Sequence, residues 1–422
     1  MNDLQNADTA SGPRRLWNRN FTLLWQGQFI SLLGSQAFFV AVSFWVAEAT
    51  ESPALLGSLL MASILPGLLL TPLGGVIADR HSRVNLVIAS DLIRAVVIIG
   101  AAGVHFSQAP IDAKVLAIGI AMVISGIVGA FFQPAVNAMI PDLVPTGRLA
   151  AANSATQVSA QVASIAGQAL GGILYKVLGA STLILIDGLT FLLSAGSETF
   201  IRADRTRVGS RDAGASVLPQ IREGMAWVGH QPGMFHFLIA AALLNFFMAP
   251  MIVLLPFYVS GHLGASVQWY GFLVASLSAG SVFGSVVAGV VPVSGRRRAR
   301  TLTILFVVTP LLLSSLAATG SRFVALGLMC AAGGCSAFIN VNVFAQFQRM
   351  TPTELRGRVI SLVLVVAGGA APLGMAAGGV ITEASGGRVD LTFLISGTSA
   401  ALIGMLLLAR KEPQQFLSTE TI

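Results

Sequence analysis

The sequence is poor in charge and in cysteine. Charged residues make up only 10% of the 422 residues, whereas soluble chains carry about 25%. Only two cysteines occur, Cys330 and Cys335, which excludes a disulfide framework and a zinc framework. The sequence also lacks the phosphate-binding G-x-x-x-x-G-K-[ST] of an ATP-driven pump and the H-E-x-x-H of a metalloprotease. We therefore expect no enzyme activity, no metal and no cofactor.

Apolar residues and glycine are abundant instead. The chain is 55% hydrophobic, contains 45 glycines and has a mean hydropathy of +0.79. A membrane-spanning helix needs about 20 apolar residues, and small residues allow such helices to pack closely in lipid. Twelve charge-poor stretches are long enough, so the sequence predicts an all-α integral membrane protein with twelve transmembrane helices in two pseudo-symmetric six-helix bundles.

The twelve stretches divide into two halves around one long polar segment. A single offset of 207 residues maps Pro145-Thr146 onto Pro352-Thr353 and Gly171-Gly172 onto Gly378-Gly379, which indicates a parallel repeat of six helices. The polar segment carries apolar residues at helical spacing, typical of an interfacial helix. The expected divisions are a tail (1–20), a first bundle (21–201), a linker with an amphipathic helix (202–234), a second bundle (235–409) and a tail (410–422).

The basic residues are placed asymmetrically. If the N-terminus is cytoplasmic, the inner segments hold 20 of the 25 basic residues, the outer loops hold four, and Arg94 lies within the third helix. Positive residues resist translocation, so both termini are predicted to be cytoplasmic. The net charge of +7 follows from this topology and does not indicate nucleic-acid binding. The alanine-rich, lysine-poor composition points to a bacterial cytoplasmic membrane, where we expect a monomer in the lipid bilayer.

The loop after the second helix is GGVIADRHSR (Gly74 to Arg83). It resembles the signature loop of the major facilitator superfamily, G-x-L-A-D-R-x-G-R-K, although Ser82 and Val84 depart from it. In that family the loop latches the two halves in the outward-open state. The resemblance assigns this role to Gly75, Asp79, Arg80 and Arg83, with Asp91 and Arg94 as nearby partners. The alternative is an ordinary cytoplasmic turn.

The fifth helix contains ASIAGQALGG (Ala163 to Gly172). It is similar to the antiporter motif of the same superfamily, G-x-x-x-G-P-x-x-G-G, through Gly167, Gly171 and Gly172. Gln168 replaces the proline and Ala163 the first glycine. Close packing of membrane helices through glycine is the alternative explanation.

Three further segments resemble the branch of the superfamily that contains macrolide efflux proteins and the enterobactin exporter. They are 78–95 (ADRHSRVNLVIASDLIRA), 131–153 (FFQPAVNAMIPDLVPTGRLAAAN) and 351–362 (TPTELRGRVISL). The resemblance implies two bundles that rock about a central cavity and export a small molecule. It assigns helices 1, 4, 7 and 10 to the cavity, helices 2, 5, 8 and 11 to the moving interface, and helices 3, 6, 9 and 12 to the outside.

Polar side chains within the spans are candidates for contact with a substrate, because they are costly in lipid unless they are satisfied. Each is equally compatible with a hydrogen bond between helices. Together with a deformable methionine, the candidates are Gln28, Ser35, Gln36, Gln133, Asn137, Gln157, Gln161, Asn245, Met248, Asn340 and Asn342.

Carboxylates that carry protons in related exporters often lie on helix 1 or 4, but neither helix has an acid within its membrane-spanning part here. The acids within spans are Asp91, Asp187 and Glu198, on helices 3 and 6, none near the midplane. Asp187 has no basic neighbour one helical turn away, so it is the first candidate proton site, and Glu48 at the outer end of helix 1 is the second.

These observations predict a secondary-active exporter of amphipathic small molecules, such as a macrolide drug or a siderophore, coupled to proton antiport. Two alternatives remain open at this point. One is uptake or facilitated diffusion of a small solute, and the other is a membrane binding or sensor protein that does not transport.

Overall fold

A computed structural model describes residues 15–202, 225–352 and 355–419. Within these ranges the chain is helical, with short connections and no strand. Long apolar segments fold this way because a helix satisfies every backbone hydrogen bond internally, as lipid requires. The helices are α1 (Arg19–Thr50), α2 (Pro53–Arg80), α3 (Arg83–Phe106), α4 (Ile111–Leu143), α5 and α6 (together Leu149–Thr199), α7 (Pro232–Val253), α8 (Gln268–Val290), α9 (Gly295–Ser314), α10 (Arg322–Met350), α11 (Arg356–Ala384), α12 (Val389–Ala409) and α13 (Lys411–Ser418).

The continuous segment Leu149–Thr199 contains two helices rather than one. Its 51 residues are interrupted at Gly179, whose φ of 75° lies in the left-handed region that favours glycine. The break separates α5 (149–178) from α6 (180–199). Eleven segments among the described residues are long and apolar enough to span a membrane, and this one counts as a single segment. The break raises the number to twelve, which confirms the predicted fold class.

The packing partners repeat after six helices. In the first bundle α1 packs on α5 and α2 on α4, and in the second bundle α7 packs on α11 and α8 on α10. Between the bundles, α2 packs against α11 and α5 against α8. These four helices form the interface that the family resemblance predicts.

The two ends of the molecule differ. We call the end that contains the start of α1 the terminal face. There the Asn18 amide donates to the Leu143 carbonyl oxygen at 2.7 Å, and the Asn20 amide donates to the Arg202 carbonyl oxygen at 3.0 Å. The other end, which contains the connection between α1 and α2 (51–52), is the opposite face.

Among the described residues, the buried apolar clusters that contain members of both bundles lie toward the opposite face. There Val46 and Leu56 of the first bundle share a buried cluster with Val253 of the second, and Phe44 packs edge-on against Tyr270 with ring centroids 5.2 Å apart. Toward the terminal face each bundle has a separate buried cluster, built around residues such as Phe21 in one and Phe347 in the other. The described bundles therefore diverge from the opposite face toward the terminal face.

The residues after α12 form a docked helix, although the sequence analysis predicted only a tail. Pro413, Phe416 and Leu417 of α13 are buried against the second bundle. The predicted linker helix lies mostly outside the described residues. Its last part is helical, with Val228 buried and Met225 exposed.

Candidate functional site

Glycines bring the two bundles into backbone contact near the opposite face. A Cβ atom on Gly379 of α11 would collide with the Pro53 carbonyl oxygen at the start of α2, and one on Gly57 of α2 would approach the Met375 carbonyl carbon to 3.2 Å. A Cβ on Gly172 of α5 would lie 3.1 Å from the Val267 carbonyl oxygen. Such close approach is available only to glycine, so these positions close the opposite face tightly.

A carboxylate also links the bundles at this face. Glu383, at the end of α11, accepts hydrogen bonds from the Ser52 hydroxyl and, at 3.2 Å, from the Ala54 backbone N–H. Ser52 is the N-cap of α2 and its hydroxyl accepts from the Leu55 N–H at 3.1 Å. The negative carboxylate therefore lies where the first turn of α2 offers unpaired N–H groups and the positive end of its dipole.

A cavity of about 830 Å³ lies between the bundles, and both bundles line it. Its wall is mostly apolar and rich in aromatic and sulfur-containing side chains, including Phe39, Met122, Phe191, Met248, Leu277 and Phe306. Hydroxyl and amide groups interrupt this wall. Because the bundles close toward the opposite face and diverge toward the terminal face, the terminal face is the open side of the cavity.

Five predicted substrate-contacting residues line this cavity, namely Ser35, Gln36, Asn245, Met248 and Asn340. The other six are not part of its lining. Gln28 donates to Glu198, the Gln133 amide donates to the Asn137 side-chain oxygen at 3.2 Å, and the Asn342 amide donates to the Phe338 carbonyl oxygen at 3.0 Å. Gln157 and Gln161 are exposed on α5.

Helices 3, 6 and 9 also reach the cavity, although the resemblance assigned them to the outside. Ile98 of α3, Phe191 of α6 and Thr309 of α9 are part of the lining. The bundles are inclined away from each other, which exposes these helices between the innermost ones. The expectation that helices 3, 6 and 9 lie wholly outside the cavity is therefore wrong, because each contributes residues to its lining.

The cavity wall contains one charged side chain among the described residues, Asp187 of α6. Asp187 is 1% exposed, and its Oδ1 accepts a hydrogen bond from the Ser35 hydroxyl of α1 at 3.0 Å. Its Oδ2 is buried and has no hydrogen-bond partner in the described part of the chain. Sequence spacing identified this acid but placed it on an outer helix, because periodicity does not tell which face of α6 meets α1.

Three further charged residues are buried behind Asp187. Arg94 of α3 has Nη1 3.6 Å from Asp91 Oδ1, and its guanidinium lies 4.4 Å from the ring centre of Phe132 and 5.4 Å from that of Phe191. Arg94 is attracted electrostatically by Asp91, Asp187 and Glu198 together. This connection was not predicted from the sequence, because Arg94 and Asp187 lie on different helices.

Glu198 lies at the terminal end of α6 in the same cluster. Its Oε1 accepts from the Gln28 amide of α1 at 3.2 Å and from the Ser194 hydroxyl at 3.4 Å. Its Oε2 is buried without a hydrogen-bond partner in the described structure. Glu198 is fully buried beneath α1.

Glu48 is remote from this cluster. It is exposed at the end of α1 near the opposite face, and it accepts a hydrogen bond from the Tyr175 hydroxyl at 2.5 Å. Thirteen residues separate it from Ser35, or roughly 20 Å along the helix. The structure therefore does not bring the two predicted proton-site residues together.

The predicted latch loop lies at the terminal face. Arg83 donates to Asp142 Oδ2 at 2.7 Å and to the Ala138 carbonyl oxygen at 2.8 Å, both on α4. Asp91 and Arg94, which were expected near the loop, pair with each other deeper in the bundle instead. Asp142 was not predicted, although its position at the end of α4 beside a basic loop was a usable signal.

The remaining loop residues differ in their surroundings. Arg80 is exposed, and the side chain of Asp79 lies outside the described part of the structure. A Cβ on Gly75 would meet nothing within 4 Å, whereas one on the preceding Gly74 would collide with the Ala130 carbonyl oxygen of α4. Gly74 therefore packs within the bundle and Gly75 faces open space.

The glycine motif of α5 packs in two directions. A Cβ on Gly167 would lie 2.7 Å from the Leu33 carbonyl oxygen, and one on Gly171 3.0 Å from the Ala37 Cα, so both face α1. Gly172 faces α8 of the other bundle. Gln168, in the place of the proline, donates to Gln36 Oε1 at 2.7 Å and lines the cavity.

Comparisons with known proteins agree with this geometry. The family model described as Major Facilitator Superfamily matches residues 24–371 and 237–421. Macrolide efflux protein A of Streptococcus pyogenes is 28% identical over 398 residues, covering 92% of this chain and 95% of that protein. The multidrug efflux pump Tap of Mycolicibacterium fortuitum is 26% identical over 374 residues, covering 86% and 88%. Among solved structures, an inward-facing, unoccupied bacterial homologue of the human lysosomal transporter Spinster aligns with a TM-score of 0.71 at 16% identity, covering 96% of this chain and 98% of that one.

Proposed function

The chain belongs to the major facilitator superfamily, a family of membrane transporters, and we propose that it is a secondary-active exporter of amphipathic small molecules that works by alternating access and proton antiport. The observation that carries the proposal is the cavity shared by the two bundles, closed toward one face by glycine contacts and open toward the other. A binding or sensor protein would not need two bundles that meet through such an interface.

The terminal face is proposed to be cytoplasmic. The connections at this face hold Arg80, Arg83, Arg148 and Arg296, and the basic residues of the whole chain concentrate in the same segments. Positive residues are retained on the cytoplasmic side during insertion. With this orientation the structure is inward-open, ready to take a substrate from the cytoplasm.

The cavity wall supports an amphipathic substrate. A volume of about 830 Å³ is at the upper end of the range of small-molecule sites, about 300–1,000 Å³. Phenylalanine and methionine side chains adapt to apolar surfaces of different shape, while Gln36, Gln168 and Asn340 offer hydrogen bonds. The macrolide and multidrug efflux relatives support a bulky drug, and a secreted siderophore is a second substrate of the same character.

Accumulation of a fluorescent drug panel in bacteria that lack their main exporters tests this function. We expect lower accumulation in cells that express the protein, recovery when the proton gradient is collapsed, and loss of the effect in the Asp79→Asn variant. Gly100→Ala is the matched control, because Gly100 is exposed on α3 with nothing within 4 Å of an added Cβ. Raised accumulation would instead establish uptake, and accumulation unaffected by the gradient would contradict antiport.

A further inference from the structure

Four ionisable side chains are buried together between α1, α3 and α6. Asp91, Asp187 and Glu198 are at most 1% exposed, and the side chain of Arg94 is 11% exposed. The line that they form begins at Asp187 on the cavity wall, passes Arg94 and Asp91, and reaches Glu198 near the terminal face. We call these four residues the α3–α6 cluster.

The charges of this cluster do not balance. Three carboxylates and one guanidinium leave two negative charges in excess when all four are ionised. The guanidinium stays protonated in proteins, and an uncompensated buried carboxylate is strongly disfavoured in low-dielectric surroundings. Two further positive charges are therefore needed.

The surrounding helices do not supply those charges. From α1 the cluster is met by Ser35 and Gln28, from α6 by Ser194, and from α4 and α6 by the rings of Phe132 and Phe191. Each of these groups is neutral. Among the ion pairs of the described residues, the one that involves the cluster is that of Arg94 with Asp91.

The unpaired oxygen atoms indicate what is missing. Asp187 Oδ2 and Glu198 Oε2 are both buried without a hydrogen-bond partner in the described part of the chain, whereas Oδ1 and Oε1 of the same side chains accept hydrogen bonds. Both oxygens of Asp91 also lack a hydrogen bond there, but Asp91 has the Arg94 guanidinium 3.6 Å away as its countercharge. A carboxyl group with one satisfied and one unsatisfied oxygen accommodates a proton on the second. Buried acids in membrane helices commonly serve in proton transfer.

We infer that the α3–α6 cluster is the proton-binding site of this transporter and that it holds two protons in the inward-open conformation. This inference rests on the proposed function and replaces the pair Asp187 and Glu48 by four residues of one bundle. Asp187 connects the site to the cavity through Ser35, so occupancy of the cavity and loss of a proton affect the same side chain. Arg94 remains in the site as the fixed countercharge.

Infrared spectroscopy of the full-length protein in lipid vesicles at neutral pH tests the inference, because the carbonyl stretch of a buried protonated carboxyl is resolved from that of a carboxylate. Removing one acid leaves two carboxylates with Arg94, which then need one proton instead of two. We therefore expect the band to fall by roughly half in Asp187→Asn and in Glu198→Gln. Asp112→Asn is the control, since Asp112 is exposed at the opposite-face end of α4, and it should leave the band unchanged.

A second measurement separates the proton site from transport itself. Exchange of a labelled drug across vesicles without a gradient should persist in Glu198→Gln, whose side chain is not part of the cavity lining, while gradient-driven accumulation is lost. Absence of the protonated-carboxyl band in the unmodified protein, or an unchanged band in both variants, would overturn the inference. A normal band without transport of any drug in the panel would refute the drug substrate and leave the proton site standing.

Discussion

Gly57 and Gly75 lie on the same face of α2, but only Gly57 touches the second bundle. Eighteen residues separate them, which is five turns of an α-helix. Gly57 approaches the backbone of α11 at Met375, while Gly75 faces open space near the terminal face. On this face of α2, close contact with α11 is therefore present at Gly57 and absent at Gly75. This difference is expected of two helices that close alternately at one end and at the other.

The first prediction concerns Gly75, at the end of α2 where this contact is absent. Gly75→Leu should leave the present conformation intact, because a side chain there meets nothing, but it should hinder closure of the terminal face. A misfitting side chain costs about 1–3 kcal/mol, so transport should fall about fivefold or more. Drug efflux rates check this, together with distances between spin labels at the terminal ends of α2 and α11. Gly100→Leu is the control, and equal rates in the two variants would contradict the expectation.

The second prediction concerns the closed end. Gly379→Leu should prevent close contact of α11 with the backbone at Pro53, which shifts the population toward a state open at the opposite face. Labels at Glu51 and Arg388, both exposed near that face, should move apart, whereas the same labels in Gly100→Leu should not. Unchanged distances in Gly379→Leu would show that α11 relieves the clash without opening.

The third prediction concerns the carboxylate that joins the bundles at the opposite face. Glu383→Ala removes the acceptor for the Ser52 hydroxyl and the Ala54 N–H, with an expected loss of about 1 kcal/mol from the closed state. The population of the open state should rise about fivefold relative to the closed state, and the distribution of label distances should shift accordingly. Glu383→Gln retains a side-chain acceptor without the charge and should show a smaller effect. An equal effect of the two variants would indicate that only the charge matters.

The membrane fold was predictable from sequence, since lipid leaves the backbone few alternatives and apolar length alone locates the spans. The division between α5 and α6 was predicted as the division between the fifth and sixth charge-poor stretches, and the structure places it at Gly179. Helix α13 was not predicted, because its apolar face is short and the surface of α7, α9 and α10 on which it docks is formed only in the folded protein.

The cavity and the buried cluster were predictable only in part. Polar residues such as Ser35 and Asn340 were predicted to line the cavity, because an unsatisfied polar side chain within a membrane span costs free energy and so marks a possible contact. The proximity of Arg94 to Asp187 was not found, because these residues lie on different helices and hydropathy carries no information about the rotation of a helix. The ion pair of Arg83 with Asp142 was not found either, because these residues also lie on different helices.

The last prediction concerns the docking of α13. Arg298 of α9 is 2% exposed, and it donates from Nε to the Leu417 carbonyl oxygen at 2.8 Å and from Nη2 to the Thr419 carbonyl oxygen at 2.9 Å. Gln346 of α10 donates to the Phe416 carbonyl oxygen at 2.7 Å. These donors satisfy carbonyl groups that the C-terminal end of a helix leaves unpaired.

Arg298→Met keeps much of the apolar stem but removes the donors, so the end of α13 should lose its anchor. The cost of leaving buried carbonyl groups unsatisfied is about 1–3 kcal/mol, which should lower the melting temperature in detergent and expose the bond after Lys411 to trypsin. Arg300→Met is the matched control, because Arg300 is exposed one position beyond Ala299 on the same helix. Equal trypsin sensitivity of the two variants would show that apolar burial of Phe416 and Leu417 alone holds the helix in place.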